Sequence, residues 1–249
     1  MSNTGPESTV PPAAPAGGGA GLRPAGAAGG QGGVWAVLAA AGRGERLGDE
    51  RPKAFARLGD LPLLAEPLRR LEESPWVDGI VIAAPPEWEE PSILLAEELG
   101  AGKVGSVVTG GETRAASVRA ALAEVPDDAD VLLVHDAARP LVSDTVIERV
   151  LAPLSEGWDG VVPALRVSDT VKRVSNGQVV ETLDRDGLVV VQTPQAFVAS
   201  VLRAAAGGEG TDCAALVEAR GGRIKVVEGD PRLIKVTSLE DLELVASWL

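Results

Sequence analysis

The sequence predicts an α/β protein with a mostly parallel sheet and helices on both faces. Two observations carry that prediction. Short β-rich runs recur along the chain, and the stretches between them place their apolar residues at helical spacing.

The strand runs are 34–38, 79–83, 104–108, 131–135 and 160–164. Between them, Leu64, Leu68 and Leu71 share one helical face, as do Val118, Leu122 and Val125. Val146, Ile147, Val150, Leu151 and Leu154 repeat the spacing. The last third predicts helices over 195–206 and 212–220, a strand over 224–227 and a closing helix from Ser238. In sheets of this kind, ligands bind beyond the carboxyl ends of the strands, so the loops there are where chemistry is expected.

One segment breaks the alternation. Residues 169–174 and 179–183 form two alternating runs around Asn176-Gly177, the signal of a hairpin. An isolated hairpin is marginal in water, so this arm, about 166–190, is expected to pack on something, with a second copy of the chain as a plausible partner.

Composition sets bounds on function. Of 249 residues, 45% are hydrophobic and 24% charged, enough for one substantial core. A net charge of −13 argues against a protein that binds nucleic acid or an anionic membrane, so any phosphate site must be local. One cysteine, Cys213, and one histidine, His135, allow neither an internal disulfide nor a Cys/His zinc set, and a reducing cytoplasm fits. The longest apolar run, 34–41, is far short of the ~20 residues that span a bilayer. Residues 1–33 are dominated by Gly, Ala and Pro and read as a disordered tail, leaving 34–249 as the folded domain. The tail has the pattern of neither a secretory signal nor a transit peptide.

The first strand runs into Ala39-Ala40-Ala41-Gly42-Arg43-Gly44-Glu45-Arg46, small residues that let a backbone approach a phosphate. It is neither a Walker loop nor the dinucleotide fingerprint, because no Gly-Lys-Ser/Thr follows and Leu47 holds the third glycine position. A tight strand-to-helix turn is the alternative, but Arg46 and Lys53 add two cations at its mouth. After the third strand, Gly110 and Gly111 expose backbone that can read a base edge, while Arg114 and Ser117 open a helix. After the fourth comes His135-Asp136-Ala137-Ala138-Arg139-Pro140. Asp136 at a buried strand end needs a metal, a hydroxyl or a cation as partner, and Arg139 is one candidate. A lone histidine beside a strand end reads as structural. Lys235, flanked by Ile234 and Val236, is expected at the end of a short strand, reaching out of an apolar run for a polar destination.

In order and spacing, these motifs, with Pro52-Lys53, Asp169-Thr170-Val171-Lys172, Thr193-Pro194-Gln195 and Thr211-Asp212, resemble the 2-C-methyl-D-erythritol 4-phosphate cytidylyltransferase family across 34–249. The resemblance implies a Rossmann-like nucleotidyltransferase fold with a protruding β-hairpin arm, and a homodimer that exchanges this arm. It implies CTP and magnesium as partners, and transfer of CMP to a small polyol phosphate, 2-C-methyl-D-erythritol 4-phosphate, with release of pyrophosphate, in non-mevalonate isoprenoid synthesis. Carried over, Arg46 and Lys53 stabilise the reacting phosphate, and Ala39, Ala40, Ala41, Gly42 and Gly44 form the nucleotide loop. Gly110, Gly111, Glu112 and Ser117 match the cytosine-reading segment. Asp136 and Ala137 lie near the ribose, with Asp136 also beside the metal, which is held mainly through the triphosphate. Asp136, Arg139, Thr193 and Lys235 face the acceptor, and Thr170 and Arg185 complete the site of the other subunit. Arg46, Lys53, Arg185 and Lys235 are the implied catalytic cations.

The chain departs from the family pattern at Ala39, where many relatives have Pro, and at Glu112, where Asp is frequent. It also departs at Cys213, where an acidic residue often follows Thr-Asp, and at Leu233, which replaces a frequent Asn. Two other readings keep the nucleotide machinery: a ribitol 5-phosphate cytidylyltransferase, and a regulatory subunit that binds nucleotide without turnover.

Overall fold

The computed structural model describes residues 32–42, 51–208 and 210–249. Nearly all of the predicted tail, and Gly44 and Arg46 of the glycine-rich loop, lie outside the described residues.

Twelve strands are present among the described residues. They are β1 (Val34–Ala39), β2 (Arg57–Leu58), β3 (Leu61–Pro62), β4 (Gly79–Ala84), β5 (Val104–Thr109) and β6 (Val131–Asp136), then β7 (Gly160–Arg166), β8 (Lys172–Ser175), β9 (Gln178–Thr182), β10 (Val189–Val191), β11 (Gln195–Val198) and β12 (Ile224–Glu228). The α-helices are α1 (Ala65–Glu73), α2 (Glu89–Glu98), α3 (Arg114–Leu122), α4 (Asp144–Leu151), α5 (Ala199–Ala205), α6 (Cys213–Glu218) and α7 (Leu239–Ala246). Eight strands form the main sheet in the order β10-β7-β11-β6-β1-β4-β5, with β12 also paired to β7. β1 runs parallel to both neighbours, β4 and β6, and β5 is parallel to β4.

The five predicted strand runs all form, four of them as short apolar runs that are largely buried and β5 as the half-exposed edge of the sheet. Successive residues of β1 feed opposite cores. Ala36 and Leu38 join Leu68, Leu71, Ile80, Ile82 and Ile147 on the side of α1, α2 and α4. Val37 joins Val81, Val118, Leu122, Val134 and Leu202 on the side of α3, α5 and α6. A smaller cluster of Leu58, Leu63, Leu141, Val236 and Val245 seats α7.

Two expectations fail. The helix predicted over 195–206 begins only at Ala199, and Gln195–Val198 is strand β11, antiparallel to both β6 and β7. A short apolar run fits either period, and the slot between β6 and β7 decides it, with Phe197 fully buried there. Lys235 is not on a strand. Residues 233–237 have no regular structure and are held instead by Val236 N–H donating to the Ala138 carbonyl at 2.8 Å.

The hairpin forms as predicted. β8 pairs with β9 across Asn176 and Gly177, whose φ values of 48° and 77° are those of a two-residue primed turn. Every residue of β8 and β9 is exposed. Val189–Val191 already belongs to the main sheet, paired with β7.

Leu38 is fully buried at the centre of the sheet. Leu38→Ala is expected to lower unfolding free energy by about 3 kcal/mol, seen as a lower denaturant midpoint with an unchanged slope.

Candidate active site

The chain steps from β1 to β4 and β5 on one side, then returns to place β6 on the other, so the strand order reverses at β1. Register brings the strand ends level, with Ala39 beside Ala83 and Asp136, and Ala84 beside Thr109. The loops that leave these ends enclose a cleft of about 440 Å³. Its walls are Ala39 to Gly42, Lys53, Ala54, Leu63, Pro86, Gly110 to Arg114, Ser117, Asp136 to Ala138 and Lys235.

The floor on the β5 side depends on a close approach. A Cβ on Gly110 would lie 2.2 Å from the Cβ of Ala41, so only glycine lets the loop after β5 touch the loop after β1. Ser117, almost fully buried, sends its hydroxyl back to the carbonyls of Gly111 and Thr113 at 3.2 and 3.0 Å, bracing the same loop. Thr113 caps α3 by accepting from Ala116 N–H.

On the β6 side, Asp136 is the centre of charge. One carboxylate oxygen accepts from Arg114 Nε and the other from Lys235 Nζ, both at 2.8 Å. Burial alone would raise the pKa of Asp136, but the two cations outweigh it and hold the carboxyl well below the usual range. The partner weighed in the sequence, Arg139, turns away. Its Nη1 donates to the Leu233 carbonyl, which helps anchor the segment carrying Lys235. Arg114 also donates from Nη1 to Cys213 Sγ at 3.7 Å, and burial pushes that thiol's pKa up.

The structure therefore gathers Ala39, Ala40, Ala41, Gly42, Lys53, Gly110, Gly111, Glu112, Ser117, Asp136, Ala137 and Lys235 around one cleft. Arg139 and Thr193 stand behind Asp136 rather than in the lining. Thr170 and Arg185 are exposed on the arm, away from the cleft, and Arg185 donates to the Ser168 carbonyl. Sequence reasoning placed Arg114 at a helix start but missed its pairing with Asp136. The two are separated by 22 positions, and no local pattern links them.

His135 has no exposed surface. Its Nε2 lies 2.9 Å from the Arg139 carbonyl and its Nδ1 3.1 Å from Thr193 Oγ1. Burial lowers its pKa from 6.5 to about 4, so the ring is neutral at physiological pH and its assignment to structure holds.

Among the described residues, no group of three or more His, Cys, Asp or Glu side chains forms a metal cage, and no helix is long and apolar enough to cross a membrane.

The model of a family described as 2-C-methyl-D-erythritol 4-phosphate cytidylyltransferase matches residues 34–249. A protein of that name from Nocardia farcinica is 44% identical over 210 residues, 83% of this chain and 90% of its own length. One from Rhodococcus jostii is 46% identical over 206 residues, 81% of this chain and 88% of its own. The crystal structure of the enzyme of that name from Thermus thermophilus superimposes with a TM-score of 0.69 at 32% identity, covering 85% of this chain and 96% of the other. The resemblance read from the motifs holds over the same residues, and the mostly parallel α/β architecture is shared with that solved structure.

Two expectations follow. Gly110→Ala must push apart the loops after β1 and β5, and isothermal titration is expected to show CTP affinity reduced about tenfold or more. His135 is neutral when folded but takes up a proton when unfolded below pH 6.5, so its contribution is complete above that pH and is lost as pH falls towards about 4. Asp136, with its depressed pKa, keeps its contribution across this window. Denaturant titrations are expected to show the parent losing about 2 kcal/mol between pH 7 and 5, and His135→Asn losing much less over the same interval.

Proposed function

We propose that this chain, which belongs to the 2-C-methyl-D-erythritol 4-phosphate cytidylyltransferase family, transfers CMP from CTP to 2-C-methyl-D-erythritol 4-phosphate and releases pyrophosphate. The product is 4-diphosphocytidyl-2-C-methyl-D-erythritol, and the reaction serves non-mevalonate isoprenoid synthesis. The observation that carries this reading is the cleft at the strand reversal, where three cations, Lys53, Arg114 and Lys235, outnumber two acids, Glu112 and Asp136, in a chain of net charge −13.

CTP lies with its base against Gly110, Gly111, Glu112 and Ser117, its ribose near Asp136 and Ala137, and its phosphates over the loop from Ala39 through Gly44. A phosphate monoester has a second pKa of about 6, so the acceptor is largely a dianion at neutral pH and needs no strong general base. This agrees with a chain whose single histidine is buried and neutral. An acceptor oxygen forms a bond to the α-phosphorus of CTP as the bond to the β-phosphate oxygen breaks, and pyrophosphate carries away the electron pair. Lys53 and Lys235, with Arg46, offset the charge that grows on the transferring group. Lys235 orients the acceptor, and Arg139, through the Leu233 carbonyl, steadies the segment that carries that lysine.

The acids of the cleft lining are Glu112 and Asp136, and both oxygens of Asp136 are engaged by cations. That donor set fits a divalent cation arriving on the triphosphate, with Asp136 supplying at most a single protein oxygen. Bound magnesium would neutralise phosphate charge.

The arm supports a homodimer. Val174, Val179, Val180, Val189 and Val190 are all more than 40% exposed along β8 to β10, a surface that a second copy would cover. Thr170 and Arg185 then reach the partner's acceptor site. Cytoplasmic residence follows from the substrates.

Pyrophosphate release with CTP and magnesium, offered methylerythritol 4-phosphate or ribitol 5-phosphate in parallel, tests the reading. Release with the first alone is expected. Release with the second alone would move the chain to the polyol branch, and silence with both in a CTP-binding protein would favour a regulatory subunit. Lys53→Ala is expected to cut kcat on the order of 10² to 10³-fold, and a fall of only a few-fold would remove Lys53 from the mechanism.

A further inference from the structure

The loop that leaves β4 doubles back within four residues. Trp88 N–H donates to the Pro85 carbonyl at 3.0 Å, and the reversal runs through Glu87, whose φ of 68° lies in the left-handed region that residues other than glycine seldom adopt. Ser92, fully buried in α2, fixes the far end by giving both its N–H, at 3.1 Å, and its hydroxyl, at 2.7 Å, to the Trp88 carbonyl. This one turn serves two places. Pro86 stands in the cleft wall, and Trp88 meets Phe55, with ring centroids 4.5 Å apart and planes tilted by 43°.

Phe55 closes the 3-10 turn Lys53–Phe55, two residues after a cation that the transfer chemistry assigns to the phosphates. Backbone bonds tie that turn to the segment just after it, with Leu64 N–H on the Ala54 carbonyl and Leu63 N–H on the Ala56 carbonyl, both at 2.8 Å. The ring contact ties it to a separate element. Phe55 is 7% exposed in the core, and Trp88 packs half-buried against the same cluster. The loop that carries Trp88 also adjoins the other end of the cleft, because Gly110 N–H donates to the Ala84 carbonyl at its start, at 2.8 Å.

We infer that Trp88 is a positioning residue: by seating Phe55 it sets the place of Lys53, and it ties that place to the loop beside the Gly110-Gly111 segment. The inference rests on the cytidylyl-transfer reading above. Trp88 is outside the cleft lining, so it acts through Phe55 and Lys53. Misplacing a group that stabilises the transition state by about 1 Å costs on the order of 10²-fold in rate, so the seating of one turn is enough to matter.

The test is a double-mutant cycle between Trp88→Ala and Lys53→Ala, with Trp88→Phe as the conservative variant. Steady-state rates with CTP, magnesium and methylerythritol 4-phosphate are followed in full-length protein below each variant's melting midpoint, with radiolabelled CTP so that slow variants remain measurable. Trp88→Ala is expected to lower kcat about tenfold, with KM for CTP within about threefold of the parent, and Trp88→Phe to recover the parent rate within about twofold. In the Lys53→Ala background the same truncation is expected to change the rate by no more than about twofold, since no ammonium is left to place. Multiplicative losses in the double variant would overturn the inference. So would a parental kcat in Trp88→Ala, with or without a rise in the KM for CTP, or a Trp88→Phe variant no faster than Trp88→Ala. Should Trp88→Ala not fold, Trp88→Val takes its place in the cycle. An inactive parent would instead count against the cytidylyl-transfer reading, which keeps the two failures apart.

Discussion

The carboxylate of Asp136 is the constraint around which the site is organised. It is almost wholly withdrawn from water, and a lone charge there would be costly, so its two cations are a requirement of the fold as well as of the chemistry. Arg114 comes from the start of α3 and Lys235 from an irregular segment near the C-terminus, so this one group ties three distant parts of the chain to the end of β6. The surrounding backbone bonds then have a clear purpose. Val236 is fastened to Ala138, Leu233 to Arg139, and Asp136 itself to Thr193, so that a flexible lysine is delivered to a defined place.

The architecture was largely legible in the amino-acid order because the central strands are buried on both faces and are bounded by helices with clean apolar stripes. Gln195 to Val198 was not legible as a strand. Its four residues have no period of their own, and only the vacancy between β6 and β7 selects the extended form. The segment around Lys235 misleads for a related reason. Its alternating Ile234 and Val236 look like a strand, yet Val236 is anchoring in the small cluster under α7 and the backbone bonds to a turn instead of a ladder.

Much of the candidate site was readable too, since small residues and cations followed strand ends where ligands bind. What sequence order hides is pairing at a distance. Nothing local distinguishes Arg114 from Arg139 as the companion of Asp136, and geometry alone makes the choice. The same holds for Thr193, 57 positions from Asp136, whose hydroxyl accepts from the Asp136 backbone N–H and lies 3.1 Å from the His135 ring.

Cys213, the sole thiol in the chain, is 1% exposed at the start of α6 and rests against the guanidinium of Arg114. A thiol reagent can reach it only when the wall behind the Asp136 ion pairs opens. Its labelling rate is therefore a built-in stopwatch for breathing of the rear of the cleft, one that needs no engineered probe.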